Sequence, residues 1–449
     1  MSFLETYSEK ELARLSEETN IITKRNIHGF DVYCAGEDTA LAKVRVVFNH
    51  GSAVDEVEGV HHALEHMMFK GKNKLLVERL EFLGASINAS TSMFKTVFTL
   101  ECSVFKVMDA IPLFAKLFEG FSVNAEDWDK ERSVIHSERI QCETDHDSIA
   151  WDNVVTALYA DGVQSNILGT KESIDRITLD DLTNAYTKMV FRQNAYIVLT
   201  CTKSLLNPAI ELLTTSLAEY IEQKRNIVVD DSGSVNLRGS AFYLHQKQLD
   251  YIQYKDLTKC YVLNLDPTNP VHDLVAYFIS TYISGGLSSP LFTEIREKLG
   301  SVYSCNTYIY RNHIGLTLCF SVGVHADDIT PYEDAVDWIM DDIEVNGITE
   351  EGFERTKNAL DYWFAKASER GVVDPIGYYA SVGADKVYED SHMMYMLSDI
   401  SYDTMNKLIG DVIGDIKSTI VTRLHPVEME AVTSCTDSTL IASNLKASN

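Results

Sequence analysis

One short stretch restricts this chain more than any other: Gly59–Val60–His61–His62–Ala63–Leu64–Glu65–His66–Met67–Met68. Its apolar residues Ala63, Leu64, Met67 and Met68 suit a helix packed inside a protein. At about 100° per residue, His62 and His66 fall on one face of that helix and Glu65 falls beside them. Two imidazoles one turn apart can hold a single zinc ion at about 2.0–2.1 Å, and a neighbouring carboxylate can reach a water on that ion. A third ligand must come from elsewhere. The stretch Glu131–Arg132–Ser133–Val134–Ile135–His136–Ser137–Glu138 offers one, because Glu131 and Glu138 share a helix face two turns apart. They flank Val134 and Ile135, so full exposure of that helix is not expected.

The order H-x-x-E-H, followed downstream by E-R-x-V-I-x-x-E, resembles the pitrilysin/insulinase zinc peptidases, a family that includes mitochondrial processing peptidase. The resemblance continues along the chain. Phe48–Ser52 and Asp55–Gly59 are similar to the family's strand and turn before the zinc helix, and Gly84–Thr91 resembles its G-x-x-x-N-A-x-T strand. Ile167–Ile174 is similar to its G-T-x-E-S-I segment. In the second half, Gly285–Phe292 and Arg296–Tyr303 resemble its glycine loop and R-E-K-x-G-x-x-Y motif. Two departures stand out: a trimmed loop between Gly71 and Gly84, and Phe94–Lys95 where the family often carries an acidic residue.

The resemblance implies an α+β fold of two similar domains, each a mixed β-sheet with helices packed on it, paired as a clam-shell around a chamber. It implies one Zn²⁺ per chain on His62, His66 and Glu138, a His₂Glu set with a fourth position for water. Glu65 would be the base, and Glu131 would orient a ligand from behind. His61 and His136 are expected to be structural or to support the ligands from behind, rather than to be ligands. Asn88, Ala89 and Thr91 lie on a strand to which an extended peptide could add by backbone pairing. Tyr303 stands where the family stabilises the oxyanion, and Arg296 where it holds a substrate carbonyl. The expected activity is that of a metalloendopeptidase on short or unfolded peptides. A narrower version removes leader or targeting segments; the alternative class is a non-catalytic structural or peptide-binding subunit. Short members of the family work as facing pairs of chains, so a homodimer is expected.

Two domains suit 449 residues. Residues 1–222 form the expected zinc-binding domain, 223–240 a polar, glycine-containing linker, and 241–449 a second domain of similar fold without metal. The repeat is visible in element order: Tyr261–Leu265 corresponds to Val44–Phe48, and Asp273–Ile283 stands where the first half has its histidine helix. Further expected elements are a helix at Lys74–Leu83 closed by Gly84, a strand over Asn88–Leu100, and helices at Val107–Phe118, Ala125–Cys142, Ile149–Tyr159 and Leu179–Met189. With 39 Lys and Arg against 66 Asp and Glu, the net charge of −27 disfavours nucleic acid and anionic membrane as partners and favours basic peptides. No apolar run is long enough to span a bilayer. The eight cysteines show no C-x-x-C pair and read as reduced, buried thiols; with no basic or Arg-rich leader at Met1–Thr6, a cytoplasmic protein is expected.

Overall fold

A computed structural model describes residues 22–159, 166–222, 242–249, 254–312, 315–325, 327–371 and 373–426. Strands β1 (Ile22–Thr23), β2 (Arg25–Ile27), β3 (Phe30–Glu37) and β4 (Leu41–Phe48) lead into helices α1 (Val60–Met67) and α2 (Lys74–Phe82). The hairpin β5 (Ser86–Thr91) and β6 (Thr96–Ser103) follows, then α3 (Val107–Lys116), α4 (Ala125–Thr144), α5 (His146–Leu158), α6 (Lys171–Arg176) and α7 (Leu179–Met189). Strand β7 (Ala195–Thr202) and helix α8 (Lys203–Tyr220) complete the first half. The second half opens with β8 (Phe242–Leu249), β9 (Lys255–Leu263) and α9 (Pro270–Ser284). A π-helical turn, Phe292–Glu297, precedes β10 (Val302–Asn312) and β11 (Gly315–Val324). Helices α10 (Thr330–Asn346), α11 (Glu350–Ser368) and α12 (Val373–Ser381), strand β12 (Lys386–Val387), helices α13 (Asp390–Asp399) and α14 (Tyr402–Ile413), and β13 (Ser418–Pro426) close it.

The two main sheets share one plan. The first runs β2-β3-β7-β4-β6-β5 and the second β10-β11-β9-β13-β8. In each, one parallel pair (β3 with β7, β8 with β13) joins a run of antiparallel neighbours. Strand β9 therefore takes the place of β4, β13 that of β7, and β10 that of the edge strand β5. This is the α+β repeat expected from element order. The 223–240 linker lies outside the described residues.

Each sheet packs helices on one face through an alternating apolar pattern. In the first half Val44, Val46 and Phe48 meet Leu64 and Met67 of α1, Leu80 of α2 and Phe114 of α3, all nearly water-free. Burying each such side chain is worth roughly 1.5–3 kcal/mol. The opposite faces are covered by an exchange between halves. Tyr33, Val47, Tyr196 and Val198 of the first sheet pack on Ile376 and Tyr379 of α12, whereas Val154 and Leu158 of α5 pack on Cys260, Val262 and Ile420 of the second sheet. That explains why β7 reads as an unbroken apolar run, Ala195–Tyr196–Ile197–Val198–Leu199: both of its faces are covered.

The α12–β12 segment is pinned at both ends. On the first half, Tyr33 Oη donates to Ala384 O at 2.7 Å and Ile22 pairs with Val387. On the second, the Arg311 guanidinium sits between the rings of Tyr277 and Tyr378, 4.1 Å from each centroid, and pairs with buried Asp273. Burial pushes the Asp273 carboxyl up to about 6, with Arg311 opposing.

Helix α4 is not fully exposed, as expected: Trp128, Glu131 and Ile135 are buried, although Val134 is 51% exposed. Two expectations need correction. The stretch Asn88–Leu100 is not one strand: the chain turns back at residues 92–95 and gives the antiparallel pair β5–β6. Of the seven described cysteines, Cys102, Cys201, Cys260 and Cys319 are buried but Cys34, Cys142 and Cys305 only partly so. Among the described residues no helix is long and apolar enough to cross a membrane.

Replacing Arg311 with Met strands the Asp273 charge in an apolar cage. A lone buried charge of this kind costs about 3–5 kcal/mol, so the thermal midpoint should fall by about 10 °C. The double variant Arg311→Met/Asp273→Leu should recover most of that loss in the same calorimetric scan.

Candidate metal centre

Helix α1 starts where the backbone has to turn sharply. Gly59 has φ of 88°, and a Cβ there would lie 2.6 Å from Leu168 O, so only glycine allows the loop after α5 to pass so close. Asp55 serves the helix start: its carboxylate accepts from Gly59 N at 2.7 Å and from His61 N at 3.4 Å. The same carboxylate lies 2.5 Å from His61 Nδ1, which fixes that ring on the side of α1 away from His62.

His62 and His66 meet edge to face one turn apart, their ring centroids 4.6 Å from each other. Helix α4 crosses α1 with both glutamates facing it. Glu138 Oε2 stands 3.5 Å from His62 Nε2 and 3.4 Å from His66 Nε2. Two turns back, Glu131 Oε1 lies 2.9 Å from His66 Nδ1, and its other oxygen accepts from Lys70 Nζ at 2.7 Å. With the proton on Nδ1, that bond turns the His66 Nε2 lone pair toward Glu138. His62 Nδ1 is buried without a hydrogen-bond partner among the described residues, so packing and the Glu138 contact at Nε2 hold that ring. Hydrogen bonding to His62, more than burial opposes, holds the Glu138 carboxyl below its usual range. Burial pushes Glu131 up, but its bonds to Lys70 and His66 outweigh it and leave that carboxyl low as well.

These atoms suit a small divalent cation. One ligand atom each from His62, His66 and Glu138 lies within 4.8 Å of the others. Two ligands on a tetrahedral zinc are separated by about 3.4 Å, and both imidazole–carboxylate separations match that edge. Two nitrogens and one oxygen, with a carboxylate behind one imidazole, form a borderline donor set of the kind zinc takes.

The other predicted residues divide. Glu65 is buried, and its Oε2 accepts from Thr91 Oγ1 at 2.7 Å, which ties α1 to β5. Among the described residues strand β5 is a free edge of its sheet, with Asn88 exposed and its Oδ1 accepting from Ala89 N at 2.9 Å. Arg296 belongs to the second half. It is exposed in the π-helical turn, 5.3 Å from the Phe292 ring centroid, and among the described residues no ion pair joins it to Glu65, Glu131 or Glu138. Tyr303 is the second residue of β10, at an irregularity in the strand's pairing with β11. His136 Nε2 pairs with Asp175 at 2.9 Å, away from the metal-capable set. Sequence reading missed Asp55, Lys70 and the Thr91–Glu65 bond. Asp55 had a signal, an acidic residue shortly before a helix start.

This arrangement is a two-histidine, one-glutamate centre on crossed helices in the first of two repeated α+β halves, and the chain belongs to the insulinase family of peptidases. Residues 32–171 match the model described as Insulinase (Peptidase family M16), and residues 238–360 match Peptidase M16 inactive domain, together more than half of the chain. It is 32% identical over 164 residues to a probable mitochondrial-processing peptidase subunit beta of Schizosaccharomyces pombe, covering 35% of this chain and 36% of that one. It is 24% identical over 323 residues to an uncharacterized zinc protease of Bacillus subtilis, covering 68% and 73%. The match thus spans only about a third of the yeast subunit's length. In fold it is similar to a crystal structure titled peptidase M16 inactive domain from Pseudomonas fluorescens, with a TM-score of 0.74, 16% identity, and coverage of 91% and 98%.

Glu131→Gln should weaken zinc binding by about 10–100-fold, because the His66 partner loses its charge. Competition with a chromophoric chelator measures it, and unfolding of the metal-free variant checks that the fold is kept.

Proposed function

We propose that the chain is a zinc-dependent endopeptidase acting on short or unfolded peptides, with one zinc per chain held by His62, His66 and Glu138. The observation that carries this reading is the convergence of those three ligand atoms beside a buried Glu65 on the same helix. When bound, the metal supplies Lewis acidity toward a water and a peptide carbonyl. Glu65 takes the proton of the attacking water and hands it to the leaving amine. Glu131 holds His66 in the tautomer and orientation a ligand needs. The peptide adds to the free edge of β5, pairing with the backbone of Asn88, Ala89 and Thr91.

A cleft of about 800 Å³ separates the start of α5 from the second sheet and supports a preference for basic peptides. Asp145, Asp147 and Asp256 line it together with Trp151 and Tyr308. Burial pushes the Asp256 carboxyl up to about 6, and Asp147 adds to the effect. A cationic side chain would relieve both carboxylates. This acidity, with the similarity to the yeast processing-peptidase subunit, also favours the narrower reading of a processing peptidase that removes basic leader segments.

Digestion of an unstructured peptide library, read by mass spectrometry with and without chelator, tests the activity. Glu65→Gln should keep about one zinc per chain by elemental analysis while losing turnover by about 10²-fold or more, because only the base is removed. Near-full activity in that variant would overturn the mechanism.

Arg296 and Tyr303 complete the site from a second copy of the chain, Tyr303 on the oxyanion and Arg296 on a substrate carbonyl. The exposure of Arg296 and its lack of an ion pair to the cluster of its own chain support this arrangement. Glu65→Gln and Tyr303→Phe should each be nearly inactive alone. Mixed in equal amounts with subunit exchange shown separately, half the dimers carry one intact site, so activity should return to about a quarter of wild type. No recovery would rule out completion in trans.

A further inference from the structure

Thr91 occupies two structures at once. Its backbone ends β5, opposite Thr96 on β6, at the edge where a peptide would pair. Its hydroxyl donates to Glu65 Oε2 at 2.7 Å. The other Glu65 oxygen accepts no hydrogen bond among the described residues.

The turn that follows Thr91 is held from outside the hairpin. Ser92 N donates to Lys95 O at 2.8 Å, Ser52 N to Ser92 O at 3.2 Å, and Ala53 N to Met93 O at 2.8 Å. A Cβ on Gly51 would stand 2.0 Å from Ser92 O and 2.7 Å from Lys95 N. Only a glycine there lets the segment between β4 and α1 lie against the turn. Thr91 is therefore fixed by the segment that also leads into the helix carrying Glu65.

We propose that Thr91 is a positioning residue for Glu65, its hydroxyl engaging one carboxylate oxygen so that the other is left to act as base. The terminal torsion of a glutamate is broad and roughly two-fold, so a buried carboxylate needs a donor to select one orientation. A peptide added to β5 stiffens the strand that supplies this donor, which couples substrate docking to alignment of the base. The inference rests on the reading of Glu65 as that base.

The test compares Thr91→Val, which keeps shape and β propensity but removes the donor, with Thr91→Ser, which keeps the donor. With a quenched basic peptide as substrate, Thr91→Val should lose about 10–100-fold in kcat with KM within about twofold. Thr91→Ser should stay within a few-fold of wild type. Zinc content and the thermal midpoint identify a misfolded variant, in which case Thr91→Ala replaces Thr91→Val under the same criteria. A second measurement does not depend on turnover: affinity of the labelled peptide for Glu65→Gln, by fluorescence anisotropy, should be unchanged when Thr91→Val is added. A weakened affinity or a raised KM at full kcat would make Thr91 a substrate contact and overturn the proposal. So would wild-type kcat in Thr91→Val. If Glu65→Gln itself turns over normally, the assignment of the base fails first, a result separable from any outcome at Thr91.

Discussion

Glu131 is the residue on which the geometry of the centre depends. It takes His66 Nδ1 with one oxygen and Lys70 Nζ with the other, so three side chains from α1, its flank and α4 are locked at one crossing point. Its carboxylate is nearly buried, and a charge in that position is tolerable because both oxygens are used by charged or polarised donors. Once that crossing is fixed, helical geometry does the rest. Glu138 lies two turns along α4, and His62 one turn back along α1, so the two helices present their remaining groups to a common point. The convergence of His62, His66 and Glu138 follows from one buried contact plus the helical repeat.

The crossing is in turn held by how the halves share helices. Helix α4 runs directly into α5, with Asp145 between them capping the second helix through Ser148 N at 2.9 Å. Helix α5 then packs on the second sheet, while α12 of the second half packs on the first. Each half therefore lacks a cover that the other supplies. The helix carrying Glu131 and Glu138 is thus joined, through the single extended residue Asp145, to the helix that covers the second sheet.

Much of this was legible in the sequence. The i, i+4 histidines and the glutamates seven apart are local patterns, set by helical periodicity, and both lie on helices as expected. The element order also revealed the repeat. What stayed hidden depends on contacts between distant residues. The turn between β5 and β6, Ser92–Met93–Phe94–Lys95, holds no glycine, proline or asparagine, so no residue announces it. Its cause is Gly51, far upstream, with the amides of Ser52 and Ala53. Likewise the pairing of Arg311 with Asp273 between two tyrosine rings joins three elements and leaves no trace in local periodicity.

The same distinction explains why a family pattern fits this chain while its details differ. Residues that must meet a metal or a backbone are restricted in type, and they recur as short motifs. Residues that hold those groups in place are restricted only by the space around them. Asp55 illustrates this: it caps α1 and fixes His61, yet the turn that carries it could place another acceptor at the same helix end. His61 is next to His62 in the chain, but the helix turns it about 100° away, and Asp55 keeps it there. In the proposed ligand set, His61 would be kept from the cation by that one carboxylate and the pitch of the helix.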